Sequence, residues 1–462
     1  MSDILDKILS QIIKWCEPSS SETKKLKTIA EQTKALISRY NSPKIVGIVF
    51  GGSFAKGTWL KDNADIDIFV KIAASTSFEE FEELAKQIGF ETLRKYKPTV
   101  RYSSHPYVEA FVRGIRVNVV PCYDVEIGKW KSAADRSPFH TQYIKDNLDD
   151  KKKNQVRLLK KFLKSIRVYG AEIAIGGFSG YVTEVLILKF GSFKSVLEAI
   201  SNIKPGLGQK KKEIISIERA DQDIMKTFNS HLIIVDPVDP RRNLGAAISA
   251  ESIGRFVLAA RALLERPSLD FFMESKRNRK DIKCLYKQLY PNLLVIEFSY
   301  SKRSPDVIWG QLKRSLNALS KQLKLADFRV IRAACSTDEK ELAVFVFLLE
   351  SLELWPYRER IGPEVFSRNA TTSFISKNRK EALFMWVDDE MKIRSLIKRK
   401  EKFAKRYLNL LLSENIEISG ITMGLKTDIR QSLQIYTGEE RKIKGITRDA
   451  VNKIITKDLI LS

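Results

Sequence analysis

The chain has 462 residues, 44% of them hydrophobic, which is enough for two to four domains with buried cores. Lys and Arg number 80 against 56 Asp and Glu, and the net charge of +24 points to a polyanionic partner. A membrane protein is excluded: the apolar run LAVFVFLLESLELW is interrupted by Glu350 and Glu353, and the N-terminal stretch lacks a small-residue signal cleavage site. Four scattered cysteines (Cys16, Cys122, Cys284, Cys335) form no CxxC pair. They suit a reducing cytoplasm and argue against a structural zinc.

Residues 1–40 read as helical, with Ile4, Ile8, Ile12 and Trp15 at helical spacing. Lys44 to Phe50 is a β-branched run and predicts a strand. Gly51 and Gly52 then permit a tight turn, with Ser53 expected to cap a short helix. DIDIFVKI is the next strand and residues 78–95 a helix. YVEAFV and IRVNVV predict a hairpin turning on Arg113 and Gly114. From 154 to 200 the pattern is helical, HLIIVDPVDPRRN is a strand ending in a turn, and a helix follows from Ser252 to Glu265. Further on, LLVIEFSY, FRVIRAAC and LAVFVFLLE predict strands, with a helix from Asp306 to Leu325 between the first two. A helix is expected near 379–386, and a long basic helix over 391–407, where eight Lys or Arg accompany one Glu. The fold class is multidomain α+β, divided at 1–150, 151–265 and 266–462, with a split βαβ arrangement in the last part.

The stretch GGSFAKGTWLKDNADIDIF carries the chemistry. Residues i and i+2 of a strand share a face, so Asp65 and Asp67 point one way while Ile66, Ile68 and Val70 enter the core. Two carboxylates that close call for a cation, and Mg²⁺ favours carboxylate and phosphate oxygens. The Gly-Gly-Ser turn offers backbone N–H groups at a helix start, a seat for phosphate. Together they describe nucleotidyl transfer to a hydroxyl, and the arrangement resembles the polymerase β-like nucleotidyltransferase superfamily.

The likeness runs further. HPYVEAFVRGIRVNVVPCY, KSAADRSPFH, VRLLKKFLK, VYGAEIAIGGFSGYVTEVLI and DPVDPRRN follow in order, and the series resembles the archaeal class of CCA-adding enzymes, the tRNA nucleotidyltransferases. The resemblance is dense over about the first 270 residues and looser beyond. It implies a catalytic head over 1–150, a base-reading neck over 151–265, and a body and tail over 266–462 that hold the acceptor arm of tRNA. It implies CTP and ATP as substrates and a two-metal Mg²⁺ site on Asp65 and Asp67. Gly52 and Ser53 would seat the triphosphate. Lys56, where the family usually has Arg, and His140, Lys160 and Tyr169 match nucleotide-binding positions, and Arg242 matches the residue that reads the base edge. Monomer and homodimer are both left open.

One position departs from the family pattern. Its third metal carboxylate lies in a strand reading like VDVVPCY, and this chain has Asn118 there. If the hairpin turns on Arg113 and Gly114, Glu109 faces Asn118 with Cβ atoms about 5 Å apart, which offers a substitute carboxylate. The alternative is an orienting role for Glu109. Asn118 also keeps two other readings open: a tRNA-binding homologue impaired in catalysis, or another RNA terminal adenylyltransferase.

Overall fold

The computed structural model describes residues 2–61, 63–102, 106–203, 213–215, 228, 230–273 and 279–455. It has two compact units, residues 1–276 and residues 277–456. Among the described residues, no helix is long and apolar enough to cross a membrane.

The first unit opens with helices α1 (Ser2–Cys16) and α2 (Ser20–Ile37). Ser19 and Glu22 close a reciprocal capping box at the start of α2, satisfying two helix-end N–H groups. A five-stranded sheet follows, from β1 (Ile45–Gly51), β2 (Asp65–Ala73), β3 (Thr99–Tyr102), β4 (Pro106–Val112) and β5 (Ile115–Asp124). The strand order is β1-β2-β5-β4-β3, with β2 and β5 the parallel pair. One face is apolar: Ile66, Ile68, Val70 and Ile72 are almost wholly buried against α2 and α4 (Phe78–Leu93). Alternation along β2 therefore leaves Asp65 and Asp67 on the face away from those helices. The hairpin has the expected register, with Val112 opposite Ile115, Phe111 opposite Arg116 and Glu109 opposite Asn118. One short element differs from expectation in this half. The helix α3 (Gly52–Lys56) is capped at Gly51, with no side-chain cap, so Ser53 sits inside it rather than at its start.

A helical layer completes the unit: α5 (Arg136–Asn147), α6 (Asp150–Ser165), α7 (Gly180–Phe190), α8 (Phe193–Ser201) and α9 (Ala250–Glu265), with the short strands β6 (Glu213–Ile215) and β7 (Leu232–Ile234). Its centre is Phe162, whose ring lies 5.6 Å from Phe193 and 5.8 Å from Phe272. Phe272 is fully buried, so the unit runs on past residue 265. The first helix contributes Leu5, Leu9 and Ile12 to this same core, which ties the N-terminus to the helical layer.

In the second unit, β8 (Leu293–Ser299), α11 (Pro305–Leu325, after α10, Arg279–Leu289), β9 (Val330–Thr337) and β10 (Leu342–Leu349) form the expected split βαβ, since β10 lies antiparallel between β8 and β9. Two helices were misplaced by sequence. The segment near 379–386 is the turn after α12 (Arg368–Asn378) and then β12 (Ala382–Val387), and the basic run holds β13 (Lys392–Lys398) and then α13 (Ala404–Ser413). With β11 (Tyr357–Glu364), β12 and β13 make a three-stranded sheet. The physical reason is period: Ile393, Ser395 and Ile397 are buried at every second residue, and the dense charge between them hid the alternation. Much of that charge is also spent locally, as Lys402 pairs with Glu353 at 2.6 Å and Lys405 with Glu440 at 2.7 Å.

Candidate active site

The Gly51-Gly52 turn and the acidic strand meet by pairing. Gly51 is the register partner of Asp67 across β1 and β2. Gly52 has φ +63, and a Cβ built there would fall 1.9 Å from Asp67 Oδ2. Only glycine fits this approach, because both the backbone region and the space exclude a side chain. The first turn of α3 is thereby held directly against the carboxylate.

Each acid of the pair has a different partner on β5. Asp65 is bonded by both sides of the Arg116 guanidinium, Nε donating to Oδ1 at 2.9 Å and Nη2 to Oδ2. Asp67 accepts from Asn118 Nδ2 at 2.8 Å. Burial pushes the Asp67 carboxyl above the ordinary value, and the bond from Asn118 opposes that rise. The other end of the amide is left over: Asn118 Oδ1 is buried and has no hydrogen-bond partner. On the next strand Glu109 is 7% exposed, and its Oε1 accepts from Arg101 at 3.1 and 3.0 Å. Arg116 Nη1 lies 3.9 Å from its Oε2.

Below α3 is a second cluster. Lys56 Nζ donates to Glu184 Oε2 at 2.8 Å, and Lys160 Nζ lies 3.5 Å from Glu184 Oε1 and 3.1 Å from Thr58 O. All three charged side chains are buried. Burial lowers the Lys160 pKa to about 8, against the pull of Glu184. Burial alone would raise the Glu184 pKa, yet Lys56 and Lys160 hold it below the ordinary glutamate value. Tyr169 pairs by a β-bridge with Phe178, and its hydroxyl abuts Gly180, next to Lys160.

A third cluster continues the row. Lys56 lies over the Tyr181 ring at 5.0 Å, and Tyr181 stacks on His140 at 3.9 Å. The Tyr181 hydroxyl donates to Asp236 Oδ1 at 3.1 Å, and His140 Nε2 bonds Asp236 Oδ2 at 2.8 Å. Arg242 Nη1 donates to the same carboxylate at 3.4 Å and is 43% exposed. Burial lowers the His140 pKa, so the imidazole is neutral near pH 7. Arg242 lines a cavity of about 400 Å³ together with Trp130, Arg136 and Asn243.

Three stretches match known families. Residues 29–147 match the nucleotidyltransferase domain, 154–273 the second domain of tRNA nucleotidyltransferase, and 291–438 the C-terminal domain of CCA-adding enzyme. The chain is 36% identical to the CCA-adding enzyme of Saccharolobus shibatae over 416 residues, 89% of this chain and 94% of that one. This chain belongs to the CCA-adding enzyme family. Relatives in the family from Sulfurisphaera tokodaii and Pyrobaculum islandicum are 35% and 36% identical, covering 90% and 81% of this chain and 95% and 85% of theirs. A solved cytoplasmic RNA terminal U-transferase shares 16% identity with a TM-score of 0.47, over 60% of this chain and 100% of that one.

The catalytic domain of this family member thus brings Asp65, Asp67, Asn118 and Glu109 to one sheet face, with Gly52 against Asp67. His140 and Arg242 share one partner, Asp236, while Lys56 and Lys160 share another, Glu184. Nucleotidyltransferases of this family use a divalent metal. Among the described residues no three His, Cys, Asp or Glu side chains already converge as a metal-binding group. The two carboxylates and the unpartnered Asn118 oxygen nevertheless fit a hard divalent cation, which takes oxygen donors. Sequence reasoning missed Arg116, Arg101, Tyr181, Glu184 and Asp236. Two of these left a trace: Glu184 is an acid inside the apolar helix VTEVLI, and Asp236 ends the apolar run LIIV. A charge in such a place needs a buried partner.

Proposed function

We infer that this chain adds or restores the 3′-terminal CCA of tRNA, using CTP and ATP and releasing diphosphate. The observation that carries the reading is the full-length likeness to CCA-adding enzymes, joined to an acidic pair held against a glycine turn. In the reaction the terminal 3′ oxygen of the RNA forms a bond to the α-phosphorus. The bond from that phosphorus to the β-phosphate oxygen breaks, and the hydroxyl proton is lost to solvent.

Gly52 and Ser53, in the first turn of α3, present backbone N–H groups to the triphosphate. Asp65 and Asp67 would hold Mg²⁺, with the Asn118 carbonyl as a neutral third donor. Bound there, such an ion withdraws charge from the α-phosphate and makes the attacking hydroxyl more acidic. Arg242 reads the base: cytosine and adenine both present an amino donor beside a ring-nitrogen acceptor, and a guanidinium on the acceptor side suits both. Asp236 holds Arg242, His140 and Tyr181 in one arrangement, and neutral His140 takes no charge into the base site. Lys56 and Lys160, tied to Glu184, set the distance from the phosphate end to the base end. The tRNA acceptor arm is the polyanion that the net charge of +24 anticipates.

Asn118 is the one departure on which a competing reading, a protein that holds tRNA without transferring nucleotides, would rest. Incubating the chain with tRNA lacking its last nucleotides, Mg²⁺ and labelled CTP or ATP separates these readings and that of another terminal adenylyltransferase. Addition of C, C, then A is expected. An A-only tail assigns a different terminal transferase, and tight binding without incorporation assigns a non-catalytic tRNA binder.

A further inference from the structure

The two carboxylates of β2 leave the metal site one acid short, and the sheet carries a further acid, Glu109, held by Arg101 and Arg116. Asn118 places a neutral amide where a third carboxylate would stand, with its nitrogen spent on Asp67 and its oxygen buried and unpartnered. Glu109 is the direct cross-strand partner of Asn118 and shares its face. Residues so paired have Cβ atoms about 5 Å apart, and glutamate is one methylene longer than aspartate. Glu109 and Asp65 also flank the same guanidinium, since Arg116 bonds Asp65 and lies 3.9 Å from Glu109. A cation between the two acids is therefore already a feature of this site.

We propose, resting on the CCA-adding reading, that Glu109 is the third acidic metal ligand of this chain, displaced by one strand from the position that Asn118 leaves neutral. Arg101 and Arg116 hold Glu109 and Asp65 until a nucleotide arrives with its metal. Both guanidiniums are about half exposed, at 43% and 45%, so releasing them costs little desolvation. Their charge then passes to the incoming phosphates, which guanidinium binds by the same forked geometry as carboxylate. Carboxylates exchange a guanidinium for a metal while guanidiniums exchange a carboxylate for a phosphate.

The test titrates Mn²⁺ into the full-length protein with CTP present and reads free Mn²⁺ by electron paramagnetic resonance, alongside CMP incorporation into tRNA. Glu109→Gln is expected to weaken Mn²⁺ binding by at least about tenfold. Adding Asn118→Asp to Glu109→Gln is expected to recover Mn²⁺ binding and incorporation together, which also shows that the first variant folds. Unchanged Mn²⁺ affinity in Glu109→Gln overturns the proposal. So does a parent chain that incorporates nothing while Asn118→Asp alone is active, because Glu109 would then supply nothing. Incorporation by the parent is judged separately. If the parent adds CCA and Glu109→Gln binds Mn²⁺ normally, only the ligand assignment falls. If Glu109→Gln loses Mn²⁺ yet neither the parent nor Asn118→Asp incorporates, the assignment stands and the CCA-adding reading falls.

Discussion

Glu184→Gln is the most informative single change outside the metal site. Two lysines, Lys56 and Lys160, are buried around one carboxylate, so this part of the core already holds one cation in excess. Lys160 is the group that absorbs the imbalance, its pKa lowered by burial to about 8. Glutamine keeps the shape and can still accept from Thr58, but among the described residues it removes the one carboxylate that partners the two lysines. Breaking a buried pair by deleting one partner costs about 3–5 kcal/mol. In a unit of this size about 1 kcal/mol corresponds to roughly 2–4 °C. The first unit should therefore lose on the order of 10 °C in melting temperature, measured by scanning calorimetry. Adding Lys160→Met should return part of that loss, because one stranded cation is removed with its stem volume kept. A Glu184→Gln variant that melts within 2 °C of the parent, a margin taken from the same scaling, would show that the cluster is not held by charge.

Three further outcomes follow from the same geometry. Gly52→Ala should abolish incorporation and cost roughly 1–2 kcal/mol, since alanine meets a left-handed backbone as well as Asp67; activity and denaturant midpoint check it. Phe272→Ala should destabilise the first unit by about 3–5 kcal/mol in a urea titration, because its ring fills the core around Phe162; a loss below about 1 kcal/mol would place the end of the unit near residue 265. The third concerns pH. Lys160 titrates near 8 in the folded protein and near 10.5 when unfolded, so between those values the unfolded chain holds the extra proton and this contribution to stability rises with pH. Lys160→Met should flatten the rise between pH 8 and 10 in a melting series.

Local pattern and turn chemistry made much of the head legible. The alternation of DIDIF set Asp65 and Asp67 on one face, and a two-residue turn at Arg113 and Gly114 determined that Glu109 opposes Asn118. Both are consequences of neighbours in sequence. The basic run at 391–407 was misread for the same reason: a local count of charges outweighed a period of two that buries Ile393, Ser395 and Ile397. The capping role given to Ser53 failed because α3 is capped at Gly51, two residues earlier than the turn suggested.

What lay beyond reach was the pairing of charges across the chain. Lys56 meets Glu184 128 residues away, and His140 meets Asp236 96 residues away. No spacing rule couples such residues, because their meeting depends on how the helical layer packs against the sheet. Composition, period and turns thus settle the strands, the acidic pair and the kind of chemistry. Which counter-charge each buried ion finds is settled only when the core closes and water is excluded, since that is when an unpaired charge becomes costly.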